Sequence, residues 1–345
     1  MNEATFKPTL QQQQSLCMAY LAYTGELLTG KKQSVEEQIL LMIDSTMKKI
    51  KPLQNSVFVD WRVVWGPAIY TLKYGELQDN MMFVSRRISE PVNYIVGIRG
   101  TNGTAWLDWL EEDLDVLEKV DWKLPAGKTA KGTPKISEAT DTGFYALLNK
   151  MKPESGLPGS GLDITAFLKT IVKNSKININ FTGHSLGGAL APTLALWFKQ
   201  SQGTASGWDP KGNASISITP FAGATAGNSD FATYSDRILG DSCDRIHNTN
   251  DVVPHVWTSK TIKEIPELYS SIGIIPGKLK KWIIDQVADI IIDYKQINNS
   301  NPFTFPLNKE YDSFTAQVSY QHVKSYPTYY MVPELITVID HGGEI

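Results

Sequence analysis

Two cysteines in 345 residues cannot make a disulfide framework. Cys17 and Cys243 stand in no metal-ligand or redox spacing and are expected as buried, unpaired thiols, since free cysteine behaves as a small core hydrophobe. Basic blocks are also missing. With 33 Lys and Arg against 36 Asp and Glu, the formal net charge is −3, and nothing resembles a stripe that tracks a phosphate backbone, so no nucleic-acid partner is expected. No apolar run reaches the roughly 20 residues a transmembrane helix needs. The most apolar late stretch, Trp282 to Tyr294, is interrupted by Asp285, Asp289 and Asp293, which predicts a chain that is soluble as made. At the N-terminus, Met1-Asn2-Glu3-Ala4 puts an acid where a secretory signal carries its basic region, and the apolar run from Leu16 to Leu28 is broken by Thr24, Gly25 and Glu26. No classical signal peptide is expected, which leaves the cytoplasm or a signal-independent export route. There is no solenoid-period repeat and no His/Asp ligand cluster, so neither metal nor cofactor is called for.

The chain does have enough apolar material, 42% of its residues, to bury a large core, and a single domain over 1–345 is expected. Residues 9–29 read as a helix, with Leu16, Ala19, Tyr20, Tyr23 and Leu27 at helical spacing. The stretch from Val57 to Tyr70, rich in Val and aromatic residues, and the runs Met81 to Arg87 and Val92 to Ile98 read as the start of a sheet. Lys123 to Thr142 and Lys152 to Gly161 have loop chemistry. From 162 the order becomes regular: helix (Leu162 to Lys173), strand (Ile177 to Thr182), helix (Gly187 to Gln200), strand (Ser215 to Phe221), strand (Arg245 to Asn248). Such alternation predicts an α/β fold with a mostly parallel central sheet and helices on both faces. Residues 258–310 break the alternation and read as an insertion carrying one amphipathic helix.

Chemistry enters at Gly183-His184-Ser185-Leu186-Gly187, a G-x-S-x-G turn between a strand and a helix, which marks the α/β-hydrolase nucleophile elbow. A serine held in a strained strand-to-helix turn needs neighbours without side chains, supplied by Gly183, Gly187 and Gly188. The helix start beneath Ser185 offers backbone N–H groups to a developing oxyanion, with the Leu186 amide as first donor. A serine hydroxyl also needs a base held by a carboxylate, in the chain order Ser, acid, His. Of the downstream acids Asp230, Asp236, Asp241, Asp244 and Asp251, only Asp251 lies in a turn just past a strand. His184 sits inside the elbow and is expected to pack or hydrogen-bond. His322, between an expected strand (Ser313 to Ser319) and a tyrosine-rich segment, is the preferred base over His341 near the terminus, with His247 and His255 as surface or supporting groups.

These residues resemble the class 3 lipase family over roughly residues 80–260, with His322 beyond. Tyr94-Ile95-Val96-Gly97-Ile98-Arg99-Gly100-Thr101 is similar to the family's strand ending in Arg-Gly-Ser/Thr, and Asp108 to Leu114 to the Trp-containing segment after it. Gly143-Phe144 and Asn248 to Pro254 match as well. The resemblance implies acyl-ester hydrolysis by Ser185, Asp251 and His322, with Thr101 as second oxyanion-hole residue beside Leu186 and Arg99 structural. Phe221 to Asn228 lacks the family's usual proline and arginine, and Thr142 stands where a histidine is common.

The expected activity is therefore a serine hydrolase cleaving carboxylic esters of lipids, a triacylglycerol lipase or carboxylesterase, in transient contact with a lipid interface. A phospholipase A1 would use the same residues, and a non-catalytic binding protein on the same fold is the reading from a different class. Trp106, Leu107, Trp109 and Leu110 read as a lid or as core. The amphipathic face of the insertion helix, with Trp282, Ile283, Ile284, Val287, Ile290, Ile291 and Tyr294, reads as core packing or as a second lid.

Overall fold

The computed structural model describes residues 6–49, 60–71, 79–100, 118–125, 128–291, 293–298 and 300–340. Among the described residues, seven strands form one sheet in the order β1-β2-β3-β6-β7-β8-β9. β1 (Trp61–Tyr70), β2 (Asn80–Arg87) and β3 (Asn93–Arg99) pair antiparallel. From β3 onward the pairing is parallel through β6 (Ile177–His184), β7 (Ala214–Phe221), β8 (Arg245–Asn248) and β9 (Ser300–Phe303). β4 (Lys119–Asp121) and β5 (Lys135–Ser137) form a separate antiparallel pair. This is the expected mostly parallel α/β sheet.

Alternation along each strand sorts side chains to two faces. Met82 and Val84 of β2, Val96 and Ile98 of β3, and Ile177, Ile179 and Phe181 of β6 enter one apolar cluster with Leu190, Leu194 and Phe198 of the elbow helix. Met81 and Phe83 of β2 and Ile95 of β3 enter a second cluster with Leu16, Met18 and Tyr20 of the N-terminal helix and Tyr326 and Tyr330 near the C-terminus. Helices therefore cover both faces. A third cluster joins Val252, Val253 and Trp257 to Tyr269, Val287, Ile291 and Val318.

Helix α1 (Leu10–Leu21) starts at Thr9, whose hydroxyl accepts from Gln12 N while the Gln12 side chain accepts from Thr9 N, a capping box. It ends earlier than the expected residue 29, giving way to turns that place Gly25 at φ +70°, where an added Cβ would meet Ile39. Helix α2 (Lys32–Lys49) follows. The loop expected up to Thr142 in fact closes on β5 and on helix α3 (Glu138–Asn149), capped by the Ser137 hydroxyl. Helices α4 (Ile164–Val172), α5 (Leu186–Gln200) and α6 (Ser229–Leu239) cover the sheet between its parallel strands.

Two expectations after residue 258 are corrected. The segment 258–310 carries helix α7 (Lys278–Ile290) but also returns to the sheet as β9, so it is not wholly an insertion. Pro302 fits β9 because an edge strand can spare an N–H. The strand expected at Ser313 to Ser319 is helix α8 (Phe314–Ser319), capped by Ser313 and continued by a π-helical segment (Tyr320–Lys324) and helix α9 (Ser325–Tyr329). Phe314 and Val318, four residues apart, both pack in the third cluster, so helical spacing outweighs the apolar–polar alternation that suggested a strand. No described helix is long and apolar enough to cross a membrane.

Candidate active site

Ser185 stands between β6 and α5 with φ 59° and ψ −127°, a backbone region that costs a non-glycine residue about 1–3 kcal/mol. Close packing holds it there. A Cβ on Gly183 would lie 2.3 Å from the Gly187 carbonyl, one on Gly187 2.3 Å from the Ile98 carbonyl, and one on Gly188 2.3 Å from the Phe221 carbonyl. The three glycines thus let α5 approach the backbones of β3 and β7, and the Ser185 N–H donates to the Phe221 carbonyl at 3.1 Å. Ser185 is 8% exposed. Leu186 opens the helix, and the first N–H groups of a helix have no partner within it.

Past the end of β8, the turn from Asn248 brings in Asp251, whose N–H donates to the Asn248 carbonyl at 3.0 Å. Asp251 is fully buried, and its carboxylate is well supplied with donors. Oδ1 accepts from Val253 N at 3.1 Å, and Oδ2 from the Tyr326 hydroxyl at 2.7 Å. His322 Nδ1 lies 3.0 and 2.9 Å from the two oxygens. A carboxylate only accepts, so Nδ1 carries the proton and the lone pair of the neutral ring sits on Nε2. This is the tautomer a general base needs. His322, 1% exposed, is carried by the π-helical segment rather than by a loop after a strand.

The other histidines are placed elsewhere. His184 is buried, with its Nε2 2.9 Å from the His322 carbonyl, so it does pack and hydrogen-bond inside the elbow. Burial, reinforced by His322, holds its imidazole well below the usual histidine range. His247 is half-buried beside Ser300, and burial together with Arg245 and His255 lowers it to about 4. His255 faces the Thr249 carbonyl at 3.0 Å. His341, Thr101 and the tryptophan segment 106–110 lie outside the described residues. Arg99 ends β3 fully buried, in register with His184, its guanidinium pKa lowered by burial against the opposing pull of Glu26, Tyr23 and Asp79.

Sequence reasoning did not single out Tyr326, the second side-chain donor to Asp251. Its position four residues after His322 is one helical turn, a signal visible only once the segment is read as helical. Burial and then Asp251 push its hydroxyl well above the usual tyrosine range, so it stays a donor. Cys17 and Cys243 are buried and unpaired.

The lipase (class 3) family model matches residues 95–261. Among solved structures, M37 lipase is 36% identical with a TM-score of 0.86, covering 96% of this chain and 95% of its own. Lip2 lipase from Yarrowia lipolytica is 14% identical with a TM-score of 0.54, covering 93% of this chain and 92% of its own, and shows the fold alone. No curated protein matches the chain. Full-length similarity at that identity to M37 lipase, together with the matched segment that holds both Ser185 and Asp251, establishes that the chain belongs to the class 3 lipase family.

Proposed function

We propose that the chain is a serine ester hydrolase of the triacylglycerol lipase or carboxylesterase type, with Ser185 as nucleophile, His322 as general base and Asp251 as the group that orients it. The observation that carries this reading is the buried His322–Asp251 pair, which fixes the base-competent tautomer on an element that packs against the serine elbow. In the cycle, Ser185 Oγ attacks the ester carbonyl carbon as its proton passes to His322 Nε2. The tetrahedral intermediate collapses, the ester C–O bond breaks, and the same proton leaves with the alcohol. Water then repeats the sequence on the acyl-serine, releasing the acid and regenerating Ser185. The Leu186 N–H at the helix start is the proposed oxyanion donor. Thr101 is the proposed second donor, as implied by the resemblance of Tyr94 to Thr101 to the family's strand ending in Arg-Gly-Ser/Thr. No step calls for a metal or cofactor. Substrates are lipid or small acyl esters, met in transient contact at a lipid interface.

The test is hydrolysis of p-nitrophenyl esters from C2 to C16, of emulsified triacylglycerol and of a glycerophospholipid by the wild type and Ser185→Ala. Activity in the wild type and none in the variant is expected, and the chain-length profile separates carboxylesterase from lipase. Activity confined to glycerophospholipids would move the assignment to a phospholipase A1. A wild type inactive on all three would overturn it in favour of a binding protein.

A further inference from the structure

His184 precedes the proposed nucleophile by one residue, yet its side chain turns away to the base. Its Nε2 lies 2.9 Å from the His322 main-chain carbonyl, and the two rings pack with centroids 4.5 Å apart and planes 38° apart. A carbonyl only accepts, so His184 carries its proton on Nε2 and presents Nδ1 as a lone pair. The Tyr23 hydroxyl sits between that nitrogen at 3.4 Å and the His184 carbonyl at 3.1 Å. The rings of Tyr20 and Tyr326 complete the enclosure at 5.0 and 5.5 Å.

The backbone just after His322 is short of one donor. Pro327 has no N–H, so it cannot serve the Val323 carbonyl in α-helical register or the His322 carbonyl in π-helical register. Side chains of α1 and the elbow reach both carbonyls. Tyr20 Oη donates to the Val323 carbonyl at 2.7 Å, and His184 Nε2 donates to the His322 carbonyl. The π-helical segment that carries His322 is thus tied at two successive carbonyls to groups outside it, a local widening of the kind that recurs at functional sites.

We propose that His184 is a positioning residue: its Nε2–H bond to the His322 backbone, braced by Tyr23, sets the base relative to the nucleophile one peptide bond away. This assignment rests on the ester-hydrolase reading. A single hydrogen bond then links the residue before the nucleophile to the backbone of the base. A neutral ring in this place also leaves the charge that forms on His322 during the reaction without a like charge beside it.

The test compares His184→Phe, which keeps a ring and loses the donor, with His184→Gln, whose amide nitrogen reaches about where Nε2 stands. kcat and KM are measured on a p-nitrophenyl ester that the wild type hydrolyses, alongside thermal melting. Misplacing a catalytic group by about 1 Å costs on the order of 100-fold, so His184→Phe is expected to lose about 10- to 100-fold in kcat with KM held within about twofold. His184→Gln is expected to recover most of that loss. Tyr23→Phe, which removes only the bracing hydroxyl, is expected to lose several-fold in kcat at constant KM, and it decides the matter if His184→Phe does not fold. Equal losses in the Phe and Gln variants, a rise in KM at unchanged kcat, or unaltered kinetics in Tyr23→Phe would overturn the assignment. A wild type with no esterase activity would instead remove the ester-hydrolase reading itself.

Discussion

A carboxylate taken wholly out of water is stable only when its lone pairs are answered, and Asp251 receives donors from His322, Tyr326 and the Val253 backbone. Tyr326 has two duties, because its hydroxyl donates to Asp251 and also accepts from Asn248 N at 3.0 Å. It therefore ties the acid to the strand end from which the acid's turn departs. Tyr326→Phe removes one bond to a charged group, worth about 1.5–3 kcal/mol, and strands the buried Asn248 N–H. Urea unfolding should show a loss of roughly 2 kcal/mol or more, and kcat should fall about tenfold as the carboxylate loses its fixed orientation. A variant matching the wild type in both would show that Val253 and His322 suffice to hold Asp251.

Among elements, α2 is fastened to the sheet by an acid rather than by apolar contact alone. Glu36 is fully buried, accepts from Ile69 N on β1 at 3.0 Å and from Glu154 N at 2.8 Å, and has Lys32 at 3.6 Å. Burial outweighs these partners and raises its carboxyl from 4.5 to about 7. Between those values the folded protein holds a proton that the unfolded chain has released, so this group's contribution to stability declines as pH rises from about 4.5 to 7 and is level above. At 1.36 kcal/mol per unit, the wild type should lose about 2–3 kcal/mol more than Glu36→Gln between about pH 5 and pH 8 in urea unfolding. Parallel curves would mean that Glu36 is ionised in the folded state throughout. Elements also differ in how openly the sequence declares them. The elbow was legible because its cause is local: glycines beside a serine at a strand end are explained by carbonyls only 2.3 Å from where a Cβ would stand. The segment holding His322 was not, since Phe314, Ala316 and Val318 satisfy a two-residue period as well as a helical one, and packing against Tyr269 decides between them. β9 was missed because Ser300-Asn301-Pro302-Phe303 has little strand propensity and owes its conformation to pairing with β8. The described part of the insertion helix resolves towards core packing, with Val287, Ala288 and Ile291 buried in the third cluster.

Across the whole molecule, the central sheet makes its two covered faces interdependent. β2 sends Met82 and Val84 to one cluster and Met81 and Phe83 to the other, so loss of either cover exposes strands the other needs. The two cysteines report on the two sides separately: Cys17 belongs to the cluster under α1, and Cys243, just before β8, to the cluster under α5. Burial raises both thiols, Cys17 well above its ordinary range and Cys243 to about 12, and the thiolate is the reactive form. Neither should react with a thiol reagent in the native protein. If residues 1–345 fold as one cooperative domain, pulse alkylation read by peptide mass spectrometry should show Cys17 and Cys243 becoming reactive at the same urea concentration, with a shared midpoint. Separate midpoints would show that one face comes apart while the other stays packed, and that the helices on the two sides are cooperative units of their own.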